Sequence, residues 1–177
     1  MKPIQALSPQ INLPDVESSI LDFWKRQEIF KKSIDNRSEG DSWTFYEGPP
    51  TANGAPGTHH IEARVFKDTF PRFHTMKGKK VVRKAGWDCH GLPVEIAVEK
   101  ELGFSGKQDI EKFGIAAFND KCRESVQRHV GAFTTMTERM GFWVDFDEAY
   151  WTMSREYVES VWWSLQQIWK KGLLVQD

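Results

Sequence analysis

Apolar side chains fall at helical spacing in four stretches of this chain and gather into short runs between them, and that alternation lays out its elements. Residues 12–15, Asn-Leu-Pro-Asp, read as a helix start, with proline in the first turn and an acidic side chain set against the positive end of the dipole. Val16, Ile20, Phe23, Trp24 and Phe30 follow on one face, with Gln27 as the polar member, which predicts a packing helix with a buried stripe. The polar stretch 33–41 should be a surface loop and 43–46 a strand. After a run rich in glycine and proline, 60–76 carries Ile61, Val65, Phe66, Phe70 and Phe73 at the spacing of a helix lying on a sheet. Pro71 lacks a backbone donor and is expected to kink its last turns, Gly78 to end it, and Val81-Val82 to begin a second strand.

Strand, helix and strand in that order form a right-handed parallel crossover. The expected fold is α/β, the first half of a doubly wound parallel nucleotide-binding (Rossmann-like) sheet with flanking helices. A single helix is expected over 115–139, with Phe118, Cys122, Val126, Val130 and Phe133 on one side. Another starts at Ser154 as N-cap and carries Val158, Val161, Trp162, Leu165 and Trp169. Tryptophans at helical spacing read as core rather than as a stacking platform. Gly172 closes that helix and Leu173-Leu174-Val175 begins a strand-like run.

Composition narrows the picture. A chain of 177 residues is long enough to bury a core. A net charge of -1 argues against a dedicated nucleic-acid surface in this stretch. The basic run Lys77, Lys79, Lys80, Arg83 and Lys84 reads as a solvated strand edge. Cys89 and Cys122 show no Cys-x-x-Cys spacing, so neither a disulfide framework nor a zinc site is indicated, and a reducing cytoplasmic setting fits. No apolar run has membrane length, and mean hydropathy is -0.55.

The candidate chemistry sits where the first strand breaks into the loop Glu47-Gly48-Pro49-Pro50-Thr51-Ala52-Asn53-Gly54-Ala55-Pro56-Gly57-Thr58-His59-His60. The loop delivers two histidines to a helix N-terminus. Unpaired N–H groups and the positive end of the dipole make such a terminus a seat for phosphate oxygens. Asp88 falls just past the second strand, in a loop bounded by Gly86 and Gly91. Without further context it would read as a turn aspartate bonding its own backbone. Cys89-His90 is a poor nucleophile pair, because neighbouring side chains in extended backbone point apart. Lys67 and Asp68, adjacent on a helix, do not face each other and receive no role as a pair.

The loop resembles the signature of class I aminoacyl-tRNA synthetases. Together with Gly86-Trp87-Asp88-Cys89-His90-Gly91-Leu92-Pro93-Val94-Glu95, and with Phe118-Asn119, Cys122-Arg123 and Gly141-Phe142-Trp143-Val144-Asp145, it is similar to the isoleucyl-tRNA synthetases in particular. The resemblance implies an N-terminal portion: a helical extension at 1–41, then at 42–177 the first part of the catalytic domain, cut before the editing insertion. It implies ATP-dependent activation of isoleucine and transfer to tRNA(Ile), with Mg2+ accompanying ATP. It further implies tRNA contacts mostly outside this segment, a cytoplasmic monomer, and no activity for the segment alone. Carried over by residue, His59 and His60 are catalytic, and Asn53, Gly54, Gly57, Thr58, His59 and His60 meet ATP. Gly48, Pro49 and Asp88 meet the amino acid, the aspartate pairing with its ammonium group.

One feature departs from the family. Where the family has His-x-Gly-His, this chain has Gly57-Thr58-His59-His60, with the first and third positions exchanged. The family's glycine lets adenine lie on bare backbone, and His59 puts a Cβ there. The expectation is an active enzyme with a reshaped ATP pocket and resistance to antibiotics that mimic the adenylate. The other functions considered are a binding protein that has lost catalysis and another nucleotidyltransferase of the same superfamily.

Overall fold

The computed structural model describes residues 10–176, so the first nine residues of the expected extension and Asp177 lie outside the described residues. The chain runs α1 (Leu13–Arg26), α2 (Ile29–Asp35), β1 (Ser42–Tyr46), α3 (Thr58–Met76), β2 (Lys80–Trp87), α4 (Leu92–Leu102), α5 (Lys107–Phe113), α6 (Ile115–Gln127), α7 (Val130–Arg139), β3 (Asp145–Trp151) and α8 (Arg155–Lys170). The strands form one parallel sheet in the order β1-β2-β3. The α/β reading holds, with α3 as the crossover between β1 and β2.

Because β2 is paired on both sides, its basic residues do not line an edge. Arg83 is 1% exposed, and its guanidinium donates to Thr75 Oγ1 at 2.8 Å and reaches Asp68 Oδ1 at 3.4 Å. Burial pulls its pKa down to about 10 against the opposing pull of Asp68. A guanidinium so enclosed is tolerable because it is paired. Asp68 also takes Arg72 Nε, so it has cationic partners although it does not face Lys67.

A main core cluster gathers Ala52, Trp87, Cys89, Val94, Val126 and Phe133 at the carboxyl end of β2. A second joins Ala85, Phe142 and Val144. Ala52 belongs to the glycine- and proline-rich loop, so that loop is rooted in the core. Gly86 lies within β2, not in the loop beyond it, and pairs in register with Tyr150. A Cβ on Gly86 would overlap the Tyr150 ring. Gly86→Ala should therefore destabilise the protein by about 1–3 kcal/mol through overpacking, seen as a lower midpoint in thermal unfolding; an unchanged midpoint would mean the ring moves freely.

Several expectations need correction. The first helix stops at Arg26, Glu28 takes left-handed backbone at φ 50°, and α2 then extends to Asp35, inside the stretch expected to be loop. The expected 115–139 helix is divided into α6 and α7, because the His129 N–H goes to Ala52 O at 3.1 Å rather than to its own helix. β3 and α5 were not foreseen, and 173–176 form no strand. The stripes on α1, α3 and α8 are not buried: Val16, Phe66 and Trp162 are exposed, and α8 has no buried residue among those described. Periodicity identifies an apolar face but not what covers it. Ser154 does cap α8, its Oγ accepting the Tyr157 N–H.

Candidate active site

The loop from Glu47 to Gly57 lies over the carboxyl ends of the strands, where open α/β sheets bind ligands. Its backbone is tied down at successive points. The Glu47 N–H donates to Lys84 O at 2.8 Å, extending the β1–β2 ladder by one residue. Beyond the end of β2, the Asp88 N–H donates to Pro50 O at 3.0 Å, and Thr51 Oγ1 donates to Asp88 Oδ2 at 3.2 Å. Asn53 Nδ2 donates to Pro93 O at 3.0 Å, at the start of α4. The structure thus brings Asp88 against Pro50 and Thr51, the latter contact spanning 37 residues of sequence. The local turn bond also exists, from the His90 N–H to Asp88 Oδ1, but at 3.4 Å it is long and leaves the carboxylate with acceptor capacity. Asp88 is half-buried, Gly54 is exposed, and a Cβ on Gly54 would meet nothing within 4 Å.

The far end of the loop forms the start of α3. Gly57 is the N-cap in extended backbone, and its N–H donates to His60 Nδ1 at 2.9 Å. That bond fixes the imidazole: Nδ1 is the acceptor, so the ring proton of neutral His60 sits on Nε2, which is left as the ring's donor. The His60 ring stands edge-on to Phe133 at 4.8 Å and lies 3.9 Å from the His59 ring. His59 and Thr58 are exposed. A Cβ on Gly57 would come within 2.9 Å of His59 Cε1, so the two exchanged positions of the motif touch. An orderly donor set results, with N–H groups of the first helical turn and two imidazoles around one end of a helix, suited to anionic oxygens.

Burial lowers the His60 pKa from 6.5, aided by His59 and Arg64. The folded value being below the unfolded one, His60 contributes stability that is present above about pH 6.5 and is lost as pH falls through its folded pKa. Nitrogen NMR of the ring should show unprotonated Nδ1 and protonated Nε2 at neutral pH, giving way on acidification as the Gly57 bond breaks. Titration above 6.5, or the opposite tautomer, would contradict the geometry.

Three residues near the loop were missed by sequence reasoning. Arg64 is buried, with Nε donating to Thr137 Oγ1 at 3.0 Å. Lys67 and Tyr150 both bind the backbone or side chain of Glu47. Arg64 and Lys67 lie four and seven residues after His60 on α3, a spacing that places all three on one face and was available as a signal. Cys89 is buried with Sγ against Trp87 O at 3.4 Å, and burial pushes its thiol and that of Cys122 up. No helix among the described residues is long and apolar enough to cross a membrane, and no three His, Cys, Asp or Glu side chains among them cluster as metal ligands would.

Residues 19–177 match the family model described as tRNA synthetases class I (I, L, M and V). The isoleucine–tRNA ligase of Cutibacterium acnes is 69% identical over 169 residues, which is 96% of this chain and 15% of that protein. The isoleucine–tRNA ligase of Thermobifida fusca is 67% identical over 176 residues, 99% of this chain and 17% of that protein. The chain therefore spans about one sixth of the length of these relatives. Among solved structures, the LeuRS of a LeuRS–tRNA–LeuAMS ternary complex from Agrobacterium radiobacter superposes with a TM-score of 0.64 at 21% identity, covering 95% of this chain and 19% of that one. At that identity the likeness bears on the fold alone.

Proposed function

The chain belongs to the class I tRNA synthetases of the isoleucine, leucine, methionine and valine group, and from that membership we propose that it is the segment of an isoleucyl-tRNA synthetase that seats isoleucine and ATP for adenylate formation. The observation that carries the proposal is the pinned loop: one part is bonded to Asp88, and its end delivers His59 and His60 to the start of α3. Isoleucine as the substrate is supported by the relatives at 69% and 67% identity, which are isoleucine–tRNA ligases.

In the reaction the amino-acid carboxylate attacks the α-phosphorus of ATP and pyrophosphate leaves. Charge gathers on phosphate oxygens, and the chain's own contribution is to hold donors where it gathers. His60 offers Nε2–H, with its orientation set by Gly57. His59 takes part of the role of the family's first histidine, while Asn53, Gly54, Gly57 and Thr58 shape the ATP side. Gly48 and Pro49 form the wall against the isoleucine side chain, and the Asp88 carboxylate pairs with the ammonium group. Magnesium arrives with the phosphates of ATP. Residues 1–41 serve as a helical extension to the catalytic part. Transfer to tRNA(Ile), in a cytoplasmic monomer, draws on regions beyond this segment, which alone is inactive.

ATP–pyrophosphate exchange on the full-length protein with isoleucine, valine and leucine tests the reading. Isoleucine-dependent exchange supports it. Exchange with none of the three favours the binding-protein alternative, which the exchanged motif keeps in play.

A further inference from the structure

Three elements meet at Glu47, the residue immediately before the wall formed by Gly48 and Pro49. Glu47 is 3% exposed at the end of β1. From α3, Lys67 Nζ donates to Glu47 Oε1 at 2.8 Å and to Gly48 O at 3.0 Å. From β3, the Tyr150 hydroxyl donates to Glu47 O, and its ring covers Gly86. Burial pushes the Tyr150 pKa up to about 12, so the hydroxyl keeps its proton at neutral pH. Glu47 Oε2 is buried without a hydrogen-bond partner; among the described residues Lys67 is the cation in hydrogen-bonded contact with this carboxylate, and Arg64 acts on it through its charge alone.

Lys67 therefore holds two consecutive residues at the point where strand becomes loop. It lies two helical turns, about 10 Å, beyond His60 on the same face of α3. We infer that Lys67 is a positioning residue for the amino-acid side of the site: it fixes the height of Gly48 and Pro49 against the substrate side chain and ties that wall to the helix bearing His59 and His60. The inference rests on the proposed reading of Gly48 and Pro49 as the surface that isoleucine meets. The ion pair alone would be a fold-stabilising feature. The second bond, to the Gly48 carbonyl, is what connects it to substrate fit.

The test uses the full-length enzyme in pyrophosphate exchange, with Lys67→Met made alone and in a Glu47→Gln background, so that no unpaired buried carboxylate confuses the result. A charged hydrogen bond lost at the wall should raise the isoleucine KM about tenfold in both backgrounds. The ATP KM should stay within about twofold, and discrimination between isoleucine and valine should shrink by a similar factor. Lys67→Arg should recover most of the loss. Tyr150→Phe, which keeps the ring over Gly86 and removes the hydroxyl, should shift the isoleucine KM in the same direction by a smaller factor. Rescue of Lys67→Met by Glu47→Gln would overturn the inference, as would equal changes in both KM values or a lowered melting temperature with kinetics unchanged. An unsubstituted enzyme without isoleucine-dependent exchange removes the reading underneath instead, and is told apart because it needs no variant.

Discussion

Asp88→Ala in the full-length synthetase should raise the KM for isoleucine about 100-fold and leave the KM for ATP within about threefold. Truncating one partner of a buried, hydrogen-bonded charge pair commonly costs enough for two orders of magnitude in affinity. The carboxylate is well placed for such a pair. Its backbone is bonded to Pro50, and Oδ2 is held by Thr51, so the chain has already fixed its position before substrate arrives. Alanine also frees the Thr51 hydroxyl, so a second variant is needed to separate charge from shape. Asp88→Asn keeps a side-chain oxygen for Thr51, gives up only the long bond from the His90 N–H and removes the charge. An isoleucine KM raised to a similar extent by asparagine would identify the counter-charge as the cause. An unchanged isoleucine KM in either variant would sink the assignment, leaving Asp88 as a residue that braces the loop.

Asp88 also illustrates what sequence makes legible. Its place beyond β2 followed from the Val81-Val82 run and the glycines around it, and the strand–helix–strand order was enough for the parallel crossover. The histidine-bearing helix start followed from the loop composition. What failed was everything that depends on a distant partner. Arg83 looks like a surface cation until α3 brings Thr75 and Asp68 to its guanidinium and the rings of Phe30 and Trp143 cover it, and β3 itself is masked by Asp145, Asp147 and Glu148 among its apolar residues. The break between α6 and α7 depends on a carbonyl from Ala52, 77 positions before His129 in sequence, which no local pattern can announce. Tyr150 was invisible for the same reason, since its hydroxyl bonds a carbonyl 103 residues away. Lys67 was legible in principle. Its spacing from His60 gives the face, but reading it beside Asp68 directed attention to the wrong neighbour.

The exchanged motif yields the other large effect. Gly57 and His59 are coupled by contact, because a Cβ at position 57 would stand 2.9 Å from His59 Cε1 and 3.0 Å from His59 Nδ1. A histidine at position 57 beside His59 must therefore push that ring aside, whereas it has room once His59 is glycine. Gly57 is in extended backbone that any residue can adopt, so the restored family pattern meets no backbone strain. His60 Nδ1 accepts from the backbone N–H of residue 57, a donor that the exchange of side chains leaves in place. On these grounds the natural enzyme should be active, and His59→Gly alone should lower kcat about 100-fold by removing one of two imidazole donors. Gly57→His with His59→Gly should return kcat to within about tenfold of the natural value. The effects of Gly57→His and His59→Gly should be strongly non-additive, since a histidine at position 57 must displace the His59 ring unless that ring is removed. Inhibitors that imitate the isoleucyl-adenylate, such as pseudomonic acid, supply the independent readout. On the proposed reading the Cβ at position 59 meets the adenine, so the natural enzyme should bind such a mimic weakly and the double variant should bind it at least about 100-fold more tightly, two tenfold steps in affinity. Equal inhibitor affinity in the two forms would remove the resistance proposal while leaving the synthetase reading intact. An inactive natural enzyme whose double variant is active would assign the exchange to loss of catalysis and favour the binding-protein alternative.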